Sequence, residues 1–467
     1  MQTSDSTPQK TRSIGRWATT VLVLVAIVAV VNIALCFILE PYGGHTETVW
    51  TEYRSAADQP IDTVFVGSST TAYALDPLVF DEQAGTHSFN LSTPGQSFDN
   101  TLMTLEAAHA EHGITRAVMF VGHEAMVVEP YINSAVAVTQ AKCQGEDPVQ
   151  ALRDIGRLMF DKAFFSKHYS LTCLFPWTYN HVEYTAEDIA SNVSNRLTCN
   201  ILEASARYSE RVKDSEWRYR SQGFGSVHTS MYGLRLHGQV VVAHPGQPVA
   251  EVNYRDLERI CAFCKQNGIE LYVVGAPYTY SAVRAYGEDY RASMTRVRDT
   301  VLAAGAHYFD LNMIHRDVLN LERADYCDYV HLGELGAPKA TATVAQLIGR
   351  IETGEDVSEL FYDYTDSGWQ SFIDSADFVD SLDYSCELDD NLAQITVLPV
   401  TGSNTPAEYR VEMYDPDSDG WSTVREWNSS DTFSIDSPQG AGTMIRIYAH
   451  STTGAQDADR WCEGPLT

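Results

Sequence analysis

The chain has 467 residues, of which 44% are hydrophobic and 11% aromatic. That is length for about three structural units with ample core material, and it excludes global disorder, a collagen-like chain and a small disulfide-stapled scaffold. Acidic residues outnumber basic ones by 62 to 32, a formal net charge of −30, which excludes nucleic acid as a partner, because a phosphate-tracking protein carries the opposite sign.

Residues 1–16 are a polar tail whose charges are Asp5, Lys10, Arg12 and Arg16. From Trp17 to Leu39 there is no charge, and Asn32 is the one strongly polar side chain. As a helix this run spans the ~30 Å hydrocarbon core of a bilayer. Basic residues before it and Glu40 after it predict a single-pass anchor, with the tail in the cytoplasm and the main domains outside the cell. A cleaved signal peptide competes with this reading, but its apolar stretch is usually shorter, ~7–15 residues, and ends at a small-x-small site. Of the nine cysteines, Cys36 lies in the membrane segment, and the others, outside the cell, face oxidising conditions. Cys386 with Cys462 and Cys173 with Cys199 are candidate bridges, and connectivity stays open. Cys261 and Cys264 form one C-x-x-C inside a helical pattern. Without a second pair or spaced histidines, that favours two packed core residues over zinc, and no metal is expected.

Residues 40–60 read as a polar linker. Beyond it, apolar strand patterns alternate with helical ones. Strands are predicted at Ile61–Val66, His87–Leu91, Arg116–Val121, Ile269–Gly275 and His307–Leu311. Helices are predicted at Phe98–His112, Val252–Asn267, Asp289–Ala304 and Gly333–Ile351, with an irregular insertion over about 140–240 that holds aromatic and helical pieces. This alternation predicts an α/β domain over 61–355, a parallel sheet with helices on both faces and ligands at the carboxyl ends of its strands. After about residue 355 Asp, Ser, Thr and Tyr become dense. From Asp383 short β runs separated by turns predict a small Ig-like β-sandwich over 383–467. Within it Asp415-Pro416-Asp417-Ser418-Asp419-Gly420, with Glu426, has the ligand spacing of a calcium loop, but strand-like flanks favour a solvated hairpin turn.

Two motifs carry chemistry. The first strand ends in Gly67-Ser68-Ser69-Thr70, a small-residue turn that would lift a hydroxyl to the sheet edge beside backbone N–H groups able to hold an oxyanion. Far along the chain stands Asp328-Tyr329-Val330-His331, where the carboxylate can orient the imidazole that a serine nucleophile needs as its base. Each alone is also a common turn or cap. Together, in this order and both leading into helices, they resemble an SGNH-type (GDSL-like) hydrolase or acyltransferase, with its three-layer, flavodoxin-like fold.

The resemblance implies a nucleophile at Ser69 and an acid–base pair at Asp328 and His331. The block Asn90-Leu91-Ser92-Thr93-Pro94-Gly95 would supply Gly95 to the oxyanion hole. The family's third block reads G-x-N-D and donates through its asparagine; here it is Gly122-His123-Glu124, so His123 becomes the candidate replacement donor. Asn90 and Tyr278, the latter after Gly275-Ala276-Pro277 at a strand end, are the candidates to line the cleft for substrate, although the residue pattern favours a plain core or rim aromatic at Tyr278. Trp177, Tyr179 and His181 could stack on sugar rings or simply pack the insertion.

The anchor and the phrasing Gly67-Ser68-Ser69 followed by Ala74-Leu75-Asp76-Pro77 are similar to the membrane-anchored branch of D-alanyl-transfer (teichoic acid) and alginate O-acetylation proteins. That implies a cell-envelope esterase or O-acyltransferase acting on a surface or cell-wall polysaccharide, without a cofactor, and with a membrane acyl-donor partner. The altered third block keeps a second reading open: a catalytically inactive binding or assembly protein on the same fold.

Overall fold

The computed structural model describes residues 9–56, 60–128, 132–143, 148–160, 174–178, 180–211, 217–227, 244–389, 391–437, 440–453 and 460–466. It divides into two compact units, Met1–Thr51 with Ile132–Arg211, and Glu52–Tyr131 with Val212–Thr467. A helix at His45–Ser55 crosses their boundary. It replaces part of the expected polar linker, because Val49, Trp50 and Tyr53 fall on one helical face and are buried.

In the first unit a helix runs from Gln9 to Leu39. Its 24-residue stretch Arg16–Leu39 is long and apolar enough to cross a membrane. Asn32, its polar exception, donates from Nδ2 to the Leu174 carbonyl at 2.8 Å and accepts the Trp177 indole N–H at 2.9 Å. The polar edge of Trp177 is therefore engaged with this helix. The last carbonyls of any helix lack intrahelical donors. Here Asn192 supplies them, donating to Ile38 O and Glu40 O at 3.0 and 2.8 Å, with the Arg196 guanidinium on Glu40 O at 2.9 Å. Both sit one turn apart on the helix Ala186–Thr198, where Thr185 caps the Asp188 N–H. The stretch expected to be irregular thus contains this helix together with Pro148–Phe160 and Ile201–Arg211. Its Thr185-x-x-Asp188 capping signal is legible in the sequence. Tyr179 and Cys173 lie outside the described residues.

The second unit holds the strands. They are β1 (Thr63–Gly67), β2 (Ser88–Asn90), β3 (Arg116–Val121), the hairpin β4 (Trp217–Ser221) and β5 (Phe224–Val227), then β6 (Glu270–Gly275) and β7 (His307–Asp310). Five of them form one parallel sheet in the order β2-β1-β3-β6-β7. Val64, Phe65 and Val66 are fully buried, as are most residues of β3 and β6, the near-continuous apolar pattern of a sheet covered on both faces. The helices Phe98–His112, Glu251–Gln266 and Glu288–Ala304 form one packed group, and Pro77–Ala84 packs on Gly336–Glu352. The order reverses between β1 and β3, the point where an open parallel sheet leaves a crevice at its carboxyl edge. The free edge at β2 is covered by the β4–β5 turn, whose Gln222 carbonyl accepts the Asn90 N–H at 2.8 Å.

Seven antiparallel strands follow: β8 (Val379–Asp389), β9 (Leu392–Thr401), β10 (Ala407–Asp415), β11 (Gly420–Asn428), β12 (Thr432–Asp436), β13 (Met444–Ser451) and β14 (Arg460–Pro465). They make two sheets, β12-β9-β8 and β11-β10-β13-β14, which share a core that includes Ile395, Val411, Ile447 and Cys462. The sandwich begins at Val379, before the expected Asp383. A bulge between Val379 and Ser381 breaks the alternation by which a strand is read. The Asp-rich segment is the β10–β11 turn, in which Asp415 accepts from Asp417 N at 3.0 Å and Ser418 Oγ at 2.8 Å. Cys386 and Cys462 carry thiols rather than a bridge; burial pushes the Cys462 thiol up to about 12. Cys261 and Cys264 are buried on their helix, with thiols pushed up by burial to about 11 and about 12. Among the described residues no group of three or more His, Cys, Asp or Glu stands ready for a metal.

Candidate active site

The first strand delivers its hydroxyl through a constrained turn. Gly67 has φ +139, and a Cβ there would meet Thr71 Oγ1 at 2.5 Å, so only glycine fits. Ser69 then opens the short helix Ser69–Ala72, and first-turn amides of a helix have no intrahelical acceptor. The Thr71 and Ala72 amides both donate to Ser68 O at 3.0 Å, so among the described residues only the Ser69 and Thr70 amides are left for whatever binds beside the Ser69 hydroxyl.

Asn90 holds this turn from the neighbouring strand. It is fully buried, its Nδ2 donates to Thr71 O at 3.2 Å and Leu75 O at 2.9 Å, and its Oδ1 accepts from Ser92 N at 3.1 Å. These bonds turn the side chain away from substrate, which corrects the expectation that it binds one. Asn90→Ala is expected to cost about 3 kcal/mol of stability, through two carbonyls and one amide left unpaired in the interior. Thermal unfolding would read this as a lowered melting temperature, whereas a substrate contact would show as a raised KM at unchanged stability.

The second motif comes back to meet the first. Bridging of Tyr326 with Leu332 closes a tight loop whose base is fixed by Gly333 N donating to Asp325 O at 2.7 Å. Within the loop Asp328 Oδ1 accepts from the Val330 and His331 amides, both at 2.8 Å, and Oδ2 lies 2.8 Å from His331 Nδ1. On the other side of the imidazole, Nε2 is 2.7 Å from Ser69 Oγ, across 262 residues of chain. Burial pushes the Asp328 carboxyl up, but hydrogen bonds from the His331 ring, the charge of His331 and the two amides outweigh it and hold the group below its ordinary value.

Ser69 and His331 open into a cavity of about 240 Å³, also lined by Gly95, Phe98, Gly122, Glu124, Ala125, Val128 and Tyr278. Gly95, on the wall of this cavity, takes φ +71. His123 does not reach this cavity. It is 1% exposed, and its Nδ1 lies 2.8 Å from Ser293 Oγ. Ser293 Oγ in turn donates to Tyr290 O at 2.9 Å, which assigns the ring proton to Nδ1 and leaves Nε2 a bare acceptor with no partner among the described residues. Burial lowers its pKa and keeps the ring neutral. A neutral imidazole with a bare Nε2 cannot donate to an oxyanion, which corrects the role expected for His123.

Asn253, Gln96 and His244 also line the cavity and carry no sequence signal. Asn253 Nδ2 approaches the carbonyls of Ala125, Met126 and Val128 at 3.0, 3.2 and 2.9 Å, ending the helix His123–Val127. His181 Nδ1 donates to Val182 O at 2.8 Å and its ring stacks on Tyr184 at 4.2 Å.

No family model and no curated protein matches the chain. Among solved structures, a lipase/acylhydrolase from Enterococcus faecalis is 12% identical, covering 62% of this chain and 97% of its own, at a TM-score of 0.29. A protein assigned to the G-D-S-L lipolytic family from Desulfitobacterium hafniense is 8% identical, covering 61% and 99%, at 0.27. Beta-glucosidase 3B from Thermotoga neapolitana, in complex with glycerol, is 10% identical, covering 92% and 88%, at 0.14. Overlaps this low carry no chemistry across to this chain.

Proposed function

We propose that this chain is an α/β serine acyl-enzyme, an esterase or acyltransferase working through Ser69, His331 and Asp328. More specifically, we infer a membrane-anchored protein of the cell envelope that removes or transfers ester-linked acyl groups on surface or cell-wall glycans, with a membrane acyl donor as partner in the transfer case. The observation that carries the reading is the continuous chain Ser69 Oγ–His331 Nε2 and His331 Nδ1–Asp328 Oδ2, at 2.7 and 2.8 Å, opening on one cavity at the carboxyl edge of a parallel sheet.

In this mechanism Ser69 Oγ attacks the ester carbonyl carbon while His331 Nε2 takes its proton. The Ser69 and Gly95 amides face the oxyanion. As the carbonyl re-forms, the C–O bond to the alcohol breaks and His331 returns the proton to the departing oxygen. Water, or an acceptor hydroxyl, then attacks the acyl-Ser69 ester, again giving its proton to His331, and Ser69 is released protonated. Phe98, Ala125 and Val128 supply an apolar wall for a small acyl group.

The test is acyl release from O-acetylated polysaccharide by the full-length protein in detergent. Acetate that appears with wild type and not with Ser69→Ala supports the reading. Acetate released equally by both would sink it. The missing third-block asparagine favours the inactive binding protein as second reading, which predicts polysaccharide binding with no release from any ester.

A further inference from the structure

Strand β6 ends in Gly275, and three residues later Tyr278 is fixed from both sides. Its N–H donates to Asn312 Oδ1 at 2.7 Å, and its carbonyl accepts the Tyr326 hydroxyl at 2.9 Å. Tyr326 opens the loop that carries Asp328 and His331. The Tyr278 ring packs on Tyr286 and Tyr290, each with centroids at 6.3 Å. The next helix, Tyr280–Tyr286, is tied to the sandwich through Ser281 N on Asp380 Oδ2 at 2.8 Å and Arg284 on Thr401 O at 3.1 Å. This residue is therefore held rigidly, and it is on the wall of the cavity that contains Ser69, Gly95 and His331.

Its hydroxyl lies directly over Gly122. A Cβ at 122 would come within 1.9 Å of the phenol oxygen, while φ at Gly122 is an ordinary −116. Gly122 is thus needed for space and not for backbone freedom: it makes room for the phenol. A neutral phenol keeps its own proton to give, and among the described residues no acceptor takes it. Burial, then the Glu124 charge, hold the phenol well above its usual pKa, so it stays a neutral donor.

We propose that the Tyr278 hydroxyl is the third oxyanion donor of this site, standing over the block that lacks the asparagine. The proposal rests on the serine acyl-enzyme reading. When Ser69 Oγ bonds to the carbonyl carbon, the negative charge gathers on the carbonyl oxygen between the Ser69 and Gly95 amides and the phenol O–H. No proton is transferred; the hydrogen bond strengthens as the oxyanion forms and relaxes when the carbonyl returns.

The test uses nitrophenyl acetate and the full-length protein. Tyr278→Phe keeps the ring and removes only the O–H. Its expected result is a fall in kcat of about 10²–10³-fold, the usual loss of one oxyanion donor, with KM and melting temperature little changed. Unchanged kcat overturns the proposal and leaves Ser69 chemistry standing. Absence of both turnover and Ser69 labelling in wild type overturns both. Should Tyr278→Phe fail to fold, difluorotyrosine at 278 serves instead: a more acidic phenol donates more strongly and should raise kcat at a pH below its own ionisation. No response to fluorination overturns the proposal.

Discussion

Ser69→Ala is expected to lower ester turnover by about 10⁶-fold, the scale found when a triad nucleophile is removed elsewhere. The protein should remain as stable as wild type. The Ser69 side chain is only half-buried, and among the described residues its hydroxyl makes one hydrogen bond, to His331 Nε2 at 2.7 Å; losing one oxygen there opens no cavity, and such changes usually cost under ~0.5 kcal/mol. Nucleophile and base act as a unit, so the double variant Ser69→Ala/His331→Ala should be no slower than either single one. Nitrophenyl ester hydrolysis under saturating substrate, beside thermal unfolding of each variant, checks both statements. Additive losses in the double variant would show that the two side chains do not share one step.

Asp328→Asn is expected to be the next most damaging change, about 10⁴-fold in kcat. Oδ1 of Asp328 is committed to the Val330 and His331 amides, both at 2.8 Å. An asparagine would keep its carbonyl oxygen on those amides and turn its NH₂ toward His331 Nδ1. That nitrogen would then have to accept, moving the ring proton to Nε2. A protonated Nε2 cannot take the proton of Ser69. The wild-type carboxylate also brings a pH dependence. Its folded pKa is depressed, so its contribution to stability is complete above the unfolded value, ~3.9, and is lost as pH falls through the still lower folded value. Wild type should therefore lose its stability advantage over Asp328→Asn only in acid, below about pH 4. Melting temperatures of the two proteins between neutral and strongly acid pH would reveal it. An advantage that vanished on the alkaline side would contradict this sign.

Much of the site was legible because it is local. Gly67-Ser68-Ser69 follows a buried apolar run, so a turn at the sheet edge could be read directly. Asp328 and His331 are three residues apart, close enough for the carboxylate to reach the ring within one loop. What places one motif against the other is the parallel sheet, and its alternation of apolar runs and helices was readable over β1, β3 and β6. Side-chain direction was not. Asn90 looked like a cleft residue but turns inward to Thr71 and Leu75, and His123 looked like a donor but is held by Ser293, 170 residues away. Tyr278 gave no local hint of facing Gly122. The start of the sandwich is legible only from Asp383, because a bulge between Val379 and Ser381 interrupts the alternation of β8. The helix His45–Ser55 is not legible because its apolar face is only three residues, Val49, Trp50 and Tyr53.

The central claim is that Ser69 is an activated nucleophile. The most direct measurement is covalent labelling of the full-length, detergent-solubilised protein with a fluorophosphonate, with the adduct mapped by mass spectrometry. The predicted result is one adduct on Ser69, absent from Ser69→Ala and strongly suppressed in His331→Ala. A folded wild-type protein that carries no adduct at Ser69 would contradict it.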